Sequence, residues 1–212
     1  MKVFILNMPE RNERRRSVES EFAGKNIFSP FYVTPLYHEV PHMSHWLTFL
    51  QLVRQADEEQ LDYFIFCEDD HVFTDDYDEK QFVEIIETAQ KRNADILLGG
   101  VSWMKTPIQT DKHLFWLESF NGTQFVMVFK KFYQVILESD YTQGCIVTDF
   151  YLSCLSENIF VVYPFISIQK EFGYSDITSF NNKIGYVSSI FQATSKGLGI
   201  LNKVKNFYAG LQ

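Results

Sequence analysis

Tyr63-Phe64-Ile65-Phe66-Cys67-Glu68-Asp69-Asp70-His71 is the stretch from which the fold can be read. Five apolar residues in a row, with acidic residues on both sides, match a strand buried on both faces. Such strands belong to α/β sheets, whose ligand crevice lies at the carboxyl ends of the strands. The three acids stand at that end. Consecutive carboxylates repel one another and destabilise the chain unless solvent or a cation compensates. Side chains alternate along a strand, so Glu68 and Asp70 point one way and Asp69 the other. Carboxylates at i and i+2 hold one hard divalent ion, Mg²⁺ or Mn²⁺, with positions left for water and phosphate oxygens. An ion held there bridges a diphosphate and neutralises its charge as it leaves. The competing reading is a solvated acidic turn.

Working outward, residues 3–6 form a short buried strand and 9–22 a charged helix with Arg11, Arg14, Arg15 and Arg16 early in it. Ser44 is placed as an N-cap, because Trp46, Phe49, Leu50 and Val53 follow at helical spacing. Phe82, Ile85, Ile86 and Ala89 mark another helix, and 94–98 another buried strand ending at Gly99-Gly100. Residues 101–128 read as short antiparallel strands. Phe132, Tyr133, Val135 and Ile136 mark a helix, Thr148 caps a helix through Leu155, and 159–163 is the last buried strand. Strand–helix alternation followed by antiparallel pieces predicts an α/β sheet of mixed direction.

The chain has 212 residues and 24.9 kDa, enough for one domain at roughly 150 residues each. At 46% apolar and 22% charged, it is neither disordered, collagenous nor a coiled coil. One domain is expected over 1–212, with a core over about 1–177 and a polar, basic tail over about 178–212. The net charge of −8 gives no global field to attract nucleic acid, so a polyanionic ligand must be held by a local site. Cys67, Cys145 and Cys154 form no CxxC pair, which points to a reducing compartment. Residues 1–6 are too short for a signal-peptide core, and no stretch reaches the ~18 apolar residues of a membrane helix. A cytoplasmic protein is expected, at most peripheral at the inner face of the cell membrane. Lys196, Lys203 and Lys205 lie among apolar residues, which reads either as contact with an anionic membrane or as a frayed surface helix.

The segment 64–73 resembles the ILEDDV-type segment of family-25 glycosyltransferases, the lipopolysaccharide-biosynthesis group. Three further pieces fit in order. Residues 3–15 are similar to that family's opening strand, Asn and Arg-rich helix start. Ser44-His45 looks like its Ser-His pair, and 164–177 like the closing segment of bacterial members. The family's usual Cys before the Ser-His helix is absent here, and His71 stands where an apolar residue is usual. The resemblance implies a GT-A-like nucleotide-sugar-binding sandwich with a mixed, mostly parallel central sheet flanked by helices. It also implies a nucleotide-diphosphate sugar donor (UDP-galactose in several members), a divalent metal, inversion at the sugar carbon, and a glycan or lipid-linked glycan acceptor.

Roles follow residue by residue. Glu68, Asp69 and Asp70 would serve metal, ribose and diphosphate, with Glu68 and Asp70 as metal ligands. His113 would complete the metal shell, unless it is an incidental loop residue. Asp149 matches the family's acid near a late helix and is the candidate general base, while an Asp in a first helical turn is also favoured by the macrodipole. Arg11 and Arg14 would clamp phosphate, and Asn7 and Pro9 would shape the loop against base or ribose. Ser44 and His45 would line the donor site, and Gln169, Ser175 and Asp176 the donor or acceptor pocket. Two other readings use the same residues: a metal-dependent phosphoesterase or nucleotidyltransferase, and a non-catalytic glycan- or nucleotide-binding module.

Overall fold

The computed structural model describes residues 1–141, 147–174 and 183–210. The first half alternates β1 (Lys2–Leu6), α1 (Asn12–Phe22), β2 (Ser29–Val33), α2 (Pro41–Glu58), β3 (Tyr63–Glu68), β4 (His71–Phe73), α3 (Glu79–Lys91) and β5 (Ile96–Leu98). Short strands follow: β6 (Trp103–Lys105), β7 (Ile108–Gln109), β8 (Leu114–Leu117), β9 (Ser119–Asn121) and β10 (Phe125–Phe129). Then come α4 (Tyr133–Leu137), α5 (Thr148–Leu155), β11 (Ile159–Val162), β12 (Ser167–Gln169) and α6 (Tyr186–Ala209).

The main sheet has eight strands in the order β2-β1-β3-β10-β5-β11-β8-β7. Six point the same way; β10 and β8 run against them. The mixed, mostly parallel sheet flanked by helices is therefore the observed fold class. The period of two in β1 and β3 divides the core in two. Phe4, Phe64 and Phe66 face α2, where Trp46, Phe49 and Val53 meet them. Val3, Ile5, Ile65 and Cys67 face the other way, onto Val18 and Phe22 of α1 and Phe82, Ile85 and Ile86 of α3. Each such buried ring or branched side chain contributes about 1.5–3 kcal/mol.

Beyond Glu68 the chain turns within two residues, Asp69 and Asp70, and enters β4, which pairs antiparallel with β12. This small ribbon stays close to the main sheet because of Gly100. A Cβ there would lie 2.1 Å from the Ser167 carbonyl oxygen, so only glycine fits. The Gly99 carbonyl accepts from the Ile166 and Ser167 amides at 2.8 and 3.1 Å.

Several local expectations differ from the structure. The helix read from Ser44 begins at Pro41, with Val40 as N-cap; Pro fits a first helical position because it needs no amide partner there. Ser44 sits inside the first turn and donates to the Leu36 carbonyl instead. Likewise α5 starts at Thr148 after an extended Val147, and the Thr148 hydroxyl is used elsewhere. α1 starts at Asn12 rather than at residue 9. Val135 is exposed, because α4 is only five residues long and buries Tyr133 and Ile136 alone. β12 follows β11 but is only partly buried, so β11 is the last buried strand. The segment read as a polar tail contains α6, a 24-residue helix anchored by Val187, Phe191 and Leu198. Gly197 and Gly199 suggest a break there, yet the helix runs through both, and at Gly199 a Cβ would come within 3.0 Å of the Tyr163 hydroxyl.

Candidate active site at the end of the third strand

The acidic turn separates its side chains only in part, because Arg14 reaches both Asp69 and Asp70. Asp69 turns toward α1. Its Oδ2 accepts from Asn7 Nδ2 at 2.9 Å, and its Oδ1 from Arg14 Nη1 at 3.0 Å. Arg14 is itself buried. The same Nη1 reaches Asp70 Oδ2 at 3.3 Å, Nη2 donates to the Tyr174 carbonyl at 2.9 Å, and the rings of Phe172 and Tyr174 lie over the guanidinium. Burial pulls the Arg14 pKa down, but Asp70 and Asp69 more than offset this, so the side chain stays charged.

Glu68 and Asp70 turn to the other side. The Glu68 carboxylate accepts from the Thr123 hydroxyl and lies 3.2 Å from His45 Nε2; the other ring nitrogen of His45 is 2.7 Å from the Thr148 hydroxyl. Burial alone would raise the Glu68 pKa, yet His45 and Thr123 hold it below the ordinary range. Asp70 behaves oppositely. Burial, then the neighbouring Glu68 charge, push its pKa well up, with Arg14 opposing. Its Oδ1 is buried with no hydrogen-bond partner. A buried oxygen left without a donor costs about 1–3 kcal/mol, more when charged, and marks a place where a cation would be stabilised.

Asp149 stands across from this pair, in the first turn of α5. Its Oδ2 accepts from Asn121 Nδ2 at 2.6 Å and from the Gly122 amide at 2.9 Å, and its Oδ1 from the Phe150 amide at 2.9 Å. Gly122 aims its amide with φ +123, a conformation that glycine adopts at little cost. Burial raises the Asp149 pKa despite these donors.

Two cavities meet here. The larger, about 620 Å³, has the size of a small-molecule site. It is lined by Asn7, Pro9, Arg11, Arg14, Ser44, His45, Glu68 and Asp69, together with residues 34–38. The smaller, about 220 Å³, is lined by His45, Glu68, Asp70, Asn121, Thr123, Asp149 and Gln169, among others. His45 and Glu68 border both. His113 lines neither: it lies in the loop before β8, between Gln81 and the Tyr163 carbonyl. Ser175 and Asp176 lie outside the described residues, as does Cys145.

Sequence reading missed the partners that set the carboxylates: Thr123 on Glu68, Asn121 and the Gly122 amide on Asp149, and Phe172 against Arg14. The Asn121-Gly122-Thr123 turn ends β9, and β9 packs against α5.

His71 belongs to the core. Its Nδ1 is 2.8 Å from the Ser167 hydroxyl, its Nε2 has no partner, and Phe73 and Phe125 pack on its ring. Burial, then the Lys25 charge, lower its pKa to about 3. The folded state thus keeps this imidazole neutral while the unfolded chain protonates it near pH 6.5. Stability from this group is present above pH 6.5 and is lost as pH falls toward 3. Chemical unfolding at pH 5 should give a value lower by about 2 kcal/mol from His71 alone, and His71→Phe should remove that part of the slope.

Among the described residues, no group of three or more His, Cys, Asp or Glu side chains is arranged to hold a metal ion. A Mg²⁺-type ion does not require one, because it is bound by one or two carboxylates with water and substrate phosphates completing its shell. Glu68 and Asp70, with the unpartnered Oδ1, fit that mode.

No protein-family model matches the chain, and no curated protein matches its sequence. Solved structures do match. A197 from STIV is 12% identical, with TM-score 0.54 over 80% of this chain and 84% of that one. A glycosyltransferase involved in the glycosylation of the major capsid of PBCV-1 is also 12% identical, with TM-score 0.44 over 77% of this chain and 92% of that one. Apo UDP-glucose pyrophosphorylase is 7% identical, with TM-score 0.47 over 93% of this chain and 81% of that one. At these identities a likeness concerns the fold alone, and the match to A197 carries it. The chain has a mixed α/β fold with a mostly parallel central sheet, and it shares that fold with A197.

Proposed function

We propose that the chain is a glycosyltransferase of the family-25 type, moving a hexose from a nucleotide-diphosphate donor to a glycan of a bacterial envelope polysaccharide. The observation that carries this reading is the convergence of Glu68, Asp70 and Asp149 on one cleft that opens into the 620 Å³ pocket lined by Asn7, Arg11 and Arg14. The donor nucleotide is assigned to the larger pocket, with Arg11 toward its phosphates and Asn7 and Pro9 toward ribose or base, while the Arg14 guanidinium stays with Asp69, Asp70 and the Tyr174 carbonyl. The acceptor fits the smaller one, beside Asn121, Asp149 and Gln169.

Glu68 and Asp70 would hold a divalent cation, Mn²⁺ or Mg²⁺. When bound, it supplies positive charge to the diphosphate leaving group. One pre-placed electrostatic contact of this kind is worth about 3–4 kcal/mol in the transition state. Asp149 takes the proton from the acceptor hydroxyl as that oxygen attacks the sugar carbon from the face opposite the diphosphate, which leaves with the electron pair of the broken C–O bond; this single displacement inverts the carbon. Asn121 and the Gly122 amide keep its carboxylate oriented. His45, between Glu68 and Thr148, fixes the wall shared by the two pockets. Arg14 keeps Asp69 neutralised, so the acidic turn holds its shape while the cleft is empty.

The test is a panel of nucleotide sugars with and without Mn²⁺. Sugar nucleotide and metal together should stabilise the protein by about 2.7 kcal/mol at a hundredfold excess over Kd, and more than either alone. Turnover with a glycan acceptor should release a nucleoside diphosphate. Release of nucleoside monophosphate and sugar phosphate instead would favour the phosphoesterase reading, and release of pyrophosphate from a nucleoside triphosphate and a sugar phosphate the nucleotidyltransferase reading. Binding with no turnover would favour a non-catalytic module.

A further inference from the structure

The one long helix that follows the sheet has a second apolar face, away from the core. At about 100° per residue, Ile200, Leu201, Val204, Phe207 and Tyr208 share an arc of about 120°. All five are exposed, Phe207 and Tyr208 by 64% and 63%. The anchoring residues Val187, Phe191 and Leu198 point elsewhere. From residue 203 to 210 every position is exposed, so this end of α6 projects from the body. α6 carries three lysines and no acidic residue, in a protein of net charge −8. On the helical wheel Lys196 and Lys203 border one edge of the apolar arc and Lys205 the other.

We propose that the exposed face of α6 docks onto an anionic lipid bilayer, lying in the interface rather than crossing it. Charge complementarity selects this occupant. Lysines on both borders of an apolar stripe can bury their stems and leave their ammonium groups at anionic headgroups, with Phe and Tyr rings at the acyl boundary. An interior packing partner for a stripe so bordered would have to supply acidic groups on both sides. No helix among the described residues is long and apolar enough to span a membrane, which fits a helix that lies on the surface. This inference does not depend on the proposed glycosyltransferase activity.

The full chain should co-sediment with phosphatidylcholine vesicles containing phosphatidylglycerol and not with phosphatidylcholine alone, and salt should weaken binding. Phe207→Ser with Tyr208→Ser should lower partitioning by roughly tenfold or more. Lys203→Gln with Lys205→Gln should lower it by roughly 25-fold, at about fivefold per basic residue. The Phe207/Tyr208 variant should not shift the thermal midpoint, because both positions are solvent-exposed, and the lysine variant should lose only the attraction of Lys205 for Asp111. Absence of binding to the anionic vesicles, or binding unchanged in both variants, would overturn the proposal. So would a dimer in solution that the Phe207/Tyr208 variant dissociates, since the stripe would then pair with a second copy.

Discussion

Asp70→Asn is expected to reduce sugar transfer by about 10²–10³-fold while making the protein more stable at neutral pH. The two effects have one cause. In the folded protein the Asp70 carboxyl is held well above its ordinary pKa by burial and by Glu68, and its Oδ1 lacks a partner. A raised acid pKa means that the folded state binds its proton more tightly than the unfolded chain. Stability from this group is full below pH ~4 and is lost as pH rises through the folded value, so at pH 7 burying this carboxyl is a burden. Asparagine keeps the shape and removes the charge. Each kcal/mol relieved should raise Tm by about 2–4 °C in a chain of this size. The lost activity corresponds to one electrostatic contact of about 3–4 kcal/mol in the transition state. Kinetics and a melting curve on the same preparation check both. A variant that is less stable and fully active would contradict this account of Asp70.

Asp149→Asn is expected to lower kcat by about 10²–10⁴-fold, the usual contribution of a positioned general base, with donor binding unchanged. Asparagine still offers a carbonyl oxygen to Asn121 and to the Gly122 amide, so the α5–β9 contact should persist. Burial raises the Asp149 pKa, and a base works only when deprotonated. The rate should therefore climb with pH through a value above the ordinary carboxylate range, and this limb should vanish in the variant. An unchanged limb would assign the base to another group. A melting midpoint close to that of the parent separates the loss of chemistry from a loss of fold.

These expectations rest on residues that differed in how visible they were in the sequence. The apolar run at 63–67 was legible because a strand buried on both faces has no polar alternation to hide it. The acids after it were legible as a site because the end of such a strand is where α/β ligands bind. Phe82, Ile85, Ile86 and Ala89 were legible for the converse reason: their helical spacing repeats cleanly. The pairings were not legible. That Thr123 donates to Glu68 depends on β10 running antiparallel beside β3, across 55 residues of chain. That Arg14 bridges Asp69, Asp70 and the Tyr174 carbonyl depends on a loop 160 residues away. Capping also misled the reading. Ser44 and Thr148 have good N-cap chemistry, but Pro41 starts its helix earlier, and the Thr148 hydroxyl is engaged by His45. α6 was legible only as a surface helix about its lysines; its anchoring by Val187, Phe191 and Leu198 was not.

The most direct measurement is the anomalous diffraction of manganese in crystals grown with a nucleotide sugar. The account requires a peak bordered by Glu68 and Asp70, with the donor's diphosphate beside it and its nucleoside in the pocket lined by Asn7, Arg11 and residues 34–38. Ordered sugar nucleotide elsewhere on the molecule, with no manganese between those two carboxylates, would contradict it.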